Sequence, residues 1–303
     1  MLHEKSKSFY SLQLKFWNSL ILEPDLEPEL ELELEPNPGI LFIFDRKNKM
    51  INDIINISRE AGSIIRKGFG KHLQIEFKTN ESNLVTQIDK AAEKIILDFI
   101  KKKYPSHGII AEESGEVNSQ NEYVWVVDPL DGTTNFAHGL PIFSVSIGLR
   151  KNNQTIAGVV YDVMQNIVYS AELGGGAFAD ANKILVSKTD KLQRALLVTG
   201  FPYNISENPE NAFERFTALT KSSRGMRRLG SAAIDFCYVA NGVFDGFWEV
   251  FLNPWDLCAG KLILEEAGGR VTDFDGTTID IFTRRILASN SLIHQQMIEV
   301  LRL

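Results

Sequence analysis

The sequence predicts an α+β protein of alternating helix and sheet layers, and three observations carry that expectation. Apolar residues recur at helical spacing through two early segments, a run of short strand-like segments follows, and strands and helices then alternate to the C-terminus. At 303 residues, 44% hydrophobic and 23% charged, the chain has the balance of an ordinary globular protein with a sizeable core.

The first 49 residues differ from the rest. Residues 24–38 hold four of the ten prolines (Pro24, Pro28, Pro36, Pro38), and residues 25–35 carry six acids. Glu and Leu alternate from Glu29 to Glu35, a strand-like pattern, but dense like charge between prolines predicts a solvated, disordered extension. Phe9–Leu22 is weakly apolar, has no small-residue cleavage site and runs into acids, so it does not read as a signal peptide. A folded domain is expected over residues 50–303, with the working protein beginning near Met50.

From there the elements follow in order. Ile51, Ile54, Ile55, Ala61 and Ile65 have helical spacing. A short strand is expected at Leu73–Lys78, then a helix at Val85–Lys103 that Pro105 and Gly108 end. Strands are predicted at Gly108–Ala111, Tyr123–Asp128, Ser144–Arg150, Thr155–Asp162 and Ile167–Glu172, with another at Ile184–Val186. Val145, Ile147 and Leu149 alternate with Ser146, Gly148 and Arg150, the period of a half-buried strand. In the C-terminal half, strands are expected at Ala195–Thr199, Phe244–Val250, Arg270–Thr272 and Arg285–Ser289. Helices are expected at Pro209–Ser222, at Ser231–Ala240 with Ser231 as cap, at Pro254–Ala267 and from Ser291 onward.

Charge and cysteine usage exclude several classes. A formal net charge of -7 argues against binding a nucleic-acid backbone. Cys237 and Cys258 are the only cysteines, which excludes a disulfide framework and zinc spacing and fits a cytoplasmic setting. There is no run of about 18 apolar residues, so no membrane span is expected.

The densest chemistry lies in Asp128-Pro129-Leu130-Asp131-Gly132-Thr133-Thr134-Asn135-Phe136. A buried-looking strand delivers Asp128, Pro129 is expected to turn the chain, and Gly132-Thr133-Thr134 reads as a helix start whose free N–H groups attract phosphate. Two acids beside an anion site repel the ligand unless cations intervene, and Mg²⁺ prefers such oxygen ligands. Taken alone, the acids could simply cap and turn the chain. Glu112-Glu113 after Gly108–Ala111, and Trp255-Asp256 at a helix start, place further acids at element ends.

Together these segments resemble the inositol monophosphatase family. Asp128–Phe136 is similar to its first signature. Trp255-Asp256-Leu257-Cys258-Ala259-Gly260, continuing to Glu266-Ala267-Gly268-Gly269, is similar to its second. Leu84–Asp89, Glu112-Glu113-Ser114 and Gly230-Ser231-Ala232-Ala233 match as well. The resemblance spans nearly everything from Met50 onward. It implies a layered αβαβα sandwich, the fold also used by fructose-1,6-bisphosphatase, usually dimeric, binding two or three Mg²⁺ ions and often inhibited by Li⁺. It further implies that Glu112, Asp128 and the Leu130 carbonyl hold one metal, that Asp128, Asp131 and Asp256 hold a second, and that a weaker third leans on Glu112. Thr133 and Glu112 would orient the attacking water, with Asp89 supporting Thr133. The N–H groups of Gly132 and Thr133 would grip phosphate, while Gly230, Ser231, Ala232 and Glu249 would line the polyol site.

The implied reaction is hydrolysis of a small phosphate monoester, myo-inositol monophosphate first. The alternatives are fructose 1,6-bisphosphate, histidinol phosphate or phosphoadenosine phosphate as substrate, or a non-enzymatic partner-binding role in which Arg224, Arg227 and Arg228 form a contact surface. Neither cysteine is followed six positions later by arginine, so a cysteine-phosphatase loop is absent. Asp273-Phe274-Asp275-Gly276-Thr277 spells the phosphorylated loop of haloacid dehalogenase-type phosphatases. Only 26 residues follow it, none a lysine, so a polar turn is expected there. His138 is expected to pack or hydrogen-bond rather than catalyse. Asn83, Ala111 and Asp180-Ala181 depart from the family pattern, the last at a hairpin where the turn type should change.

Overall fold

The computed structural model describes residues 49–71, 75–78 and 84–302. The expected extension lies outside these residues except for Lys49, as do Asn83 and the first part of the Leu73–Lys78 strand.

Seven α-helices are found among the described residues: α1 (Lys49–Gly68), α2 (Gln87–Lys103), α3 (Thr133–Ala137), α4 (Ala212–Ser222), α5 (Ala232–Ala240), α6 (Pro254–Glu266) and α7 (His294–Leu301). Strands β1 (Ile75–Phe77) and β2 (Leu84–Thr86) form a small antiparallel pair. The large sheet takes β3 (Gly108–Ala111), β4 (Gly115–Val117), β5 (Tyr123–Asp131), β6 (Ser144–Lys151), β7 (Gln154–Asp162), β8 (Ile167–Glu172), β9 (Gly176–Ala179) and β10 (Asn182–Lys183). Its order is β10-β9-β8-β7-β6-β5-β3-β4. The second sheet takes β11 (Leu196–Thr199), β12 (Gly225–Arg227), β13 (Gly246–Val250), β14 (Arg270–Thr272) and β15 (Arg285–Ser289), in the order β12-β11-β13-β15-β14.

Helices α1 and α2 cover one face of the large sheet, α5 and α6 lie between the sheets, and α4 and α7 cover the outer face of the second sheet. This is the expected αβαβα sandwich. Each interlayer space has its own apolar filling. Ile54, Ile65, Ile96 and Ile147 pack in the first, Phe236, Phe247, Leu257 and Ile263 in the central one, and Leu197, Trp248, Phe274 and Met297 in the last. The strand β6 is therefore buried on both faces rather than half-buried, because α6 covers the side carrying Ser146, Gly148 and Arg150.

Two glycines set how closely α6 can approach. Gly148 and Gly158 are paired across β6 and β7. A Cβ on Gly148 would lie 2.4 Å from Cys258 Sγ, and one on Gly158 2.9 Å from Ala259 Cα. The helix thus rests directly on backbone, and its first turn, bearing Asp256, is carried to the end of β5.

Several expectations are corrected. The helix at Val85–Lys103 begins at Gln87, because Leu84–Thr86 pairs with β1 and Thr86 caps the helix. The Pro209–Ser222 helix divides into a 3-10 turn and α4, since Asn208, Glu210 and Asn211 all take positive φ. Ile184–Val186 is not a strand, although the Ile184 and Val186 N–H groups still donate to Ala177 and Ala267 carbonyls. Pro129 does not end its strand. The ladder passes from Asp128 opposite Ser146 to Asp131 opposite Ser144 with an irregularity between, and proline is tolerated there because its missing N–H breaks no rung. Asp273 forms the expected turn, its Oδ1 accepting from the N–H groups of Asp275 and Thr277. Asp180 takes a φ of +50° and accepts from the Val168 N–H, so a hairpin turn forms there without glycine. Among the described residues no helix is long and apolar enough to cross a membrane.

Candidate active site

The parallel pairing of β3 and β5 brings two acid segments together. Ala111 sits opposite Val127, and the Glu112 N–H donates to the Val127 carbonyl, so Glu112 and Asp128 leave adjacent strand ends side by side. The irregular stretch of β5 then turns Asp131 to the same end. Asp256 arrives from α6, where Pro254 and the Asn253–Asp256 capping box start the helix. Single carboxylate oxygens of Asp128, Asp131 and Asp256 all lie within 4.8 Å of one another. At that spacing each pair of like charges repels by about 3 kcal/mol or more at an effective dielectric near 20. Burial first, then Glu112, Asp131 and Asp256, raise the Asp128 pKa well above the carboxylate range. Asp256 is raised in the same sense by burial and Asp131. Such a cluster of hard oxygen donors needs a cation, and its chemistry fits Mg²⁺.

Asp131 is held by more donors than its neighbours. Its Oδ2 accepts from Ser231 Oγ at 2.5 Å and the Ala233 N–H at 2.8 Å, and its Oδ1 from the Ala232 N–H at 3.3 Å. Burial pushes its pKa up to about 6, with the Ser231 and Ala233 bonds opposing the rise. This corrects the expected role of Ser231: its side chain does not cap α5, and Asp131 caps that helix from another part of the chain.

Asp89 and Thr133 meet as the resemblance implies. Asp89 belongs to the capping box of α2, its Oδ2 accepting from the Thr86 N–H and hydroxyl. Its Oδ1 lies 2.9 Å from Thr133 Oγ1, which also sits 3.0 Å from the Leu130 carbonyl. Gly132 precedes α3 with a φ of +97°, and a Cβ there would press within 3.2 Å of the Gly230 carbonyl. Asn135 ties these segments, its side-chain amide donating to the Ile142 and Leu229 carbonyls at 2.8 Å each.

The four acids, Leu130, Gly132, Thr133, Asn135, Ser231 and Ala232 line one cleft of about 760 Å³, together with Glu249 and the Phe201-Pro202-Tyr203 segment. The sequence-derived set of Glu112, Asp128, Leu130, Asp131, Gly132, Thr133, Gly230, Ser231, Ala232, Glu249 and Asp256 is thus assembled on one surface. Asp89 lies just behind it. His138 sits at the rim with its ring nitrogen against the Thr134 carbonyl.

Sequence reasoning missed two participants. Lys78 reaches Glu112 Oε1 at 2.7 Å and Glu113 Oε1 at 2.6 Å. Burial opposes its charge, yet the two glutamates outweigh burial and raise its pKa. Only the spacing of a lone lysine ahead of Leu84–Asp89 could have signalled it. Asp235 also lines the cleft from α5, and nothing in the sequence separated it from an ordinary helix acid.

The comparisons with known proteins agree with this geometry. Residues 47–302 match the profile of the Inositol monophosphatase family. An inositol-1-monophosphatase of Synechocystis sp. is 45% identical over 242 residues, covering 80% of this chain and 84% of that protein. The Nus factor SuhB of Haemophilus influenzae is 40% identical over 257 residues, covering 84% of this chain and 96% of that protein. The structure of an inositol monophosphatase from Anabaena (Nostoc) sp. superposes with a TM-score of 0.75 at 42% identity, covering 83% of this chain and 94% of that one. With its acids gathered at the strand ends of an αβαβα sandwich, the chain belongs to the inositol monophosphatase family, a family of metal-dependent phosphomonoesterases.

Proposed function

We propose that the chain is a Mg²⁺-dependent phosphatase that hydrolyses a polyol monophosphate, myo-inositol monophosphate foremost. The observation that carries this reading is the convergence of Asp128, Asp131 and Asp256 from separate segments to within 4.8 Å. Those carboxylates, with Glu112 and the Leu130 carbonyl, would hold two or three ions. When bound, Mg²⁺ supplies the positive charge and Lewis acidity that a very slow hydrolysis requires.

The chain's own groups do the rest. Thr133, anchored between Asp89 and Leu130, and Glu112 together orient a water toward phosphorus. The N–H groups of Gly132 and Thr133 bind phosphate oxygens at the start of α3. Gly230, Ser231, Ala232 and Glu249 receive the polyol. The same reading makes the protein a Li⁺-sensitive cytoplasmic homodimer.

The test is phosphate release against Mg²⁺ concentration, with chains starting at Met1 and at Met50. Asp128→Asn is expected to abolish release while leaving the fold intact; unchanged turnover would refute the site. Across a panel, D-myo-inositol 1-phosphate should be cleaved faster than histidinol phosphate, fructose 1,6-bisphosphate or phosphoadenosine phosphate. The reverse order against histidinol phosphate would reject the substrate.

A partner-binding role is a second reading, supported by the likeness to Nus factor SuhB proteins. Arg224, Arg227 and Arg228 are exposed and make no ion pair among the described residues. Replacing Arg224 and Arg227 with alanine, and keeping Arg228 because it lines the cleft, would weaken such binding and spare phosphate release from a small ester, whereas Asp128→Asn would do the opposite.

A further inference from the structure

The cleft contains one buried acid that neither the fold nor the phosphate chemistry uses. Asp235 stands on α5 with 1% of its surface exposed. Neither of its carboxyl oxygens has a hydrogen-bond partner among the described residues. The nearest charges acting on it are Glu249 and Asp131, both of its own sign. Other acids of the site are satisfied: Asp131 by Ser231, Ala232 and Ala233, Asp89 by Thr86 and Thr133, and the half-buried Asp256 by the Asn253 N–H. A buried carboxyl without a donor costs more than an ordinary lost hydrogen bond, so Asp235 weakens the folded protein as it stands.

Its neighbour is a second acid. Glu249, on β13, is buried and lines the same cleft, where the Arg228 guanidinium partly offsets its charge. Its carboxylate is pressed against the backbone of Gly200, where an added Cβ would lie 2.3 Å from both oxygens. Glu249 cannot swing toward that side to find a donor. An unpartnered carboxyl, Asp235, and a confined one, Glu249, held by different elements, therefore lie beside the catalytic acids. Neither belongs to the group of oxygens close enough to share a metal. A carboxyl accepts from a hydroxyl in either protonation state, and when protonated it donates to one as well.

We propose that Asp235 is a specificity-determining residue that, with Glu249, hydrogen-bonds adjacent hydroxyls of a polyol phosphate, directly or through one ordered water. The inference rests on the phosphatase reading and adds to it the residue that separates hydroxyl-rich esters from plain ones. A site built to pair with hydroxyls discriminates strongly against ligands that lack them, because its buried polar groups then stay unpaired.

The experiment compares the full chain with Asp235→Asn and Asp235→Ala in Mg²⁺, on D-myo-inositol 1-phosphate, p-nitrophenyl phosphate and histidinol phosphate. For both variants kcat/KM for the inositol ester should fall at least about tenfold more than for the nitrophenyl ester, chiefly through KM. Asp235→Asn should melt at the same temperature as the parent or higher, since it removes an unpaired acid. Equal loss on both esters, or a lower melting temperature with unchanged selectivity, would mark Asp235 as structural and overturn the proposal. A loss greatest on histidinol phosphate would overturn it in favour of an ammonium site. If the parent chain cleaved none of the three, the phosphatase reading would fail first, visibly in the parent rather than in the variants.

Discussion

The Ser231 hydroxyl donates to Asp131 Oδ2 at 2.5 Å, joining the start of α5 to the end of β5. That contact holds the most heavily bonded acid of the cleft and also closes the N-terminus of a helix. Ser231→Ala removes a hydrogen bond to a charged group, worth about 2 kcal/mol. A drop of that size in denaturant unfolding is expected, with Mg²⁺-dependent phosphate release reduced about tenfold as Asp131 loses its orientation. A variant with full activity would show that the Ala232 and Ala233 N–H groups suffice.

Gly158→Ala tests how α6 positions Asp256. The new methyl would lie 2.9 Å from Ala259 Cα and 3.0 Å from its carbonyl oxygen, both backbone atoms that cannot move aside singly. Overpacking of this kind costs about 1–3 kcal/mol. Both melting temperature and apparent Mg²⁺ affinity should fall, because the helix carries Asp256 away with it. Retained affinity in a destabilised variant would separate packing from metal binding.

The acid cluster makes stability depend on metal and pH together. Burial raises the Asp131 pKa to about 6, and Asp128 and Asp256 are also raised. Groups whose folded pKa exceeds the unfolded value stabilise below the unfolded pKa and lose that contribution as pH rises through the folded one. Metal-free protein should therefore lose this stabilisation on going from about pH 4 upward through about pH 6. Mg²⁺ at a hundred times its dissociation constant adds about 2.7 kcal/mol. Thermal melts with Mg²⁺ and with chelator should diverge more at about pH 7 than at pH 5, and much less in Asp128→Asn.

His294 supplies an opposite trend. It is fully buried between Thr272 Oγ1 at 2.9 Å and Ser289 Oγ at 2.8 Å. Burial, helped by Arg270, lowers its pKa from 6.5 to about 4. The unfolded chain then binds the proton first, so this contribution is complete above about pH 6.5 and is lost as pH falls toward 4. The melting-temperature gap between the parent and His294→Gln should shrink from about pH 7 to pH 5. A constant gap would mean that the imidazole titrates normally.

Much of the fold was legible because local patterns report burial directly. The spacing of Ile51, Ile54, Ile55, Ala61 and Ile65 located α1, and Pro254 with Gly268 bracketed α6, whose chain leaves through a φ of +91° at Gly268. The errors fell where distant contacts override local preference. Val85 and Thr86 joined a strand because β1 was available to pair, and β5 ran through Pro129 because its partner could skip a rung.

The sequence by itself determined the chemistry of the site: oxygen donors at element ends, a glycine where φ must be positive, and hydroxyls able to hold water or acid. Only the tertiary structure decided who meets whom. That Asp131 caps α5, that Lys78 faces Glu112 and Glu113, and that Gly200 confines Glu249 follow from sheet register and helix packing between segments far apart in the chain. Periodicity encodes which face of an element is buried, but not against which residue, and the electrostatics of this cleft depend on that second choice.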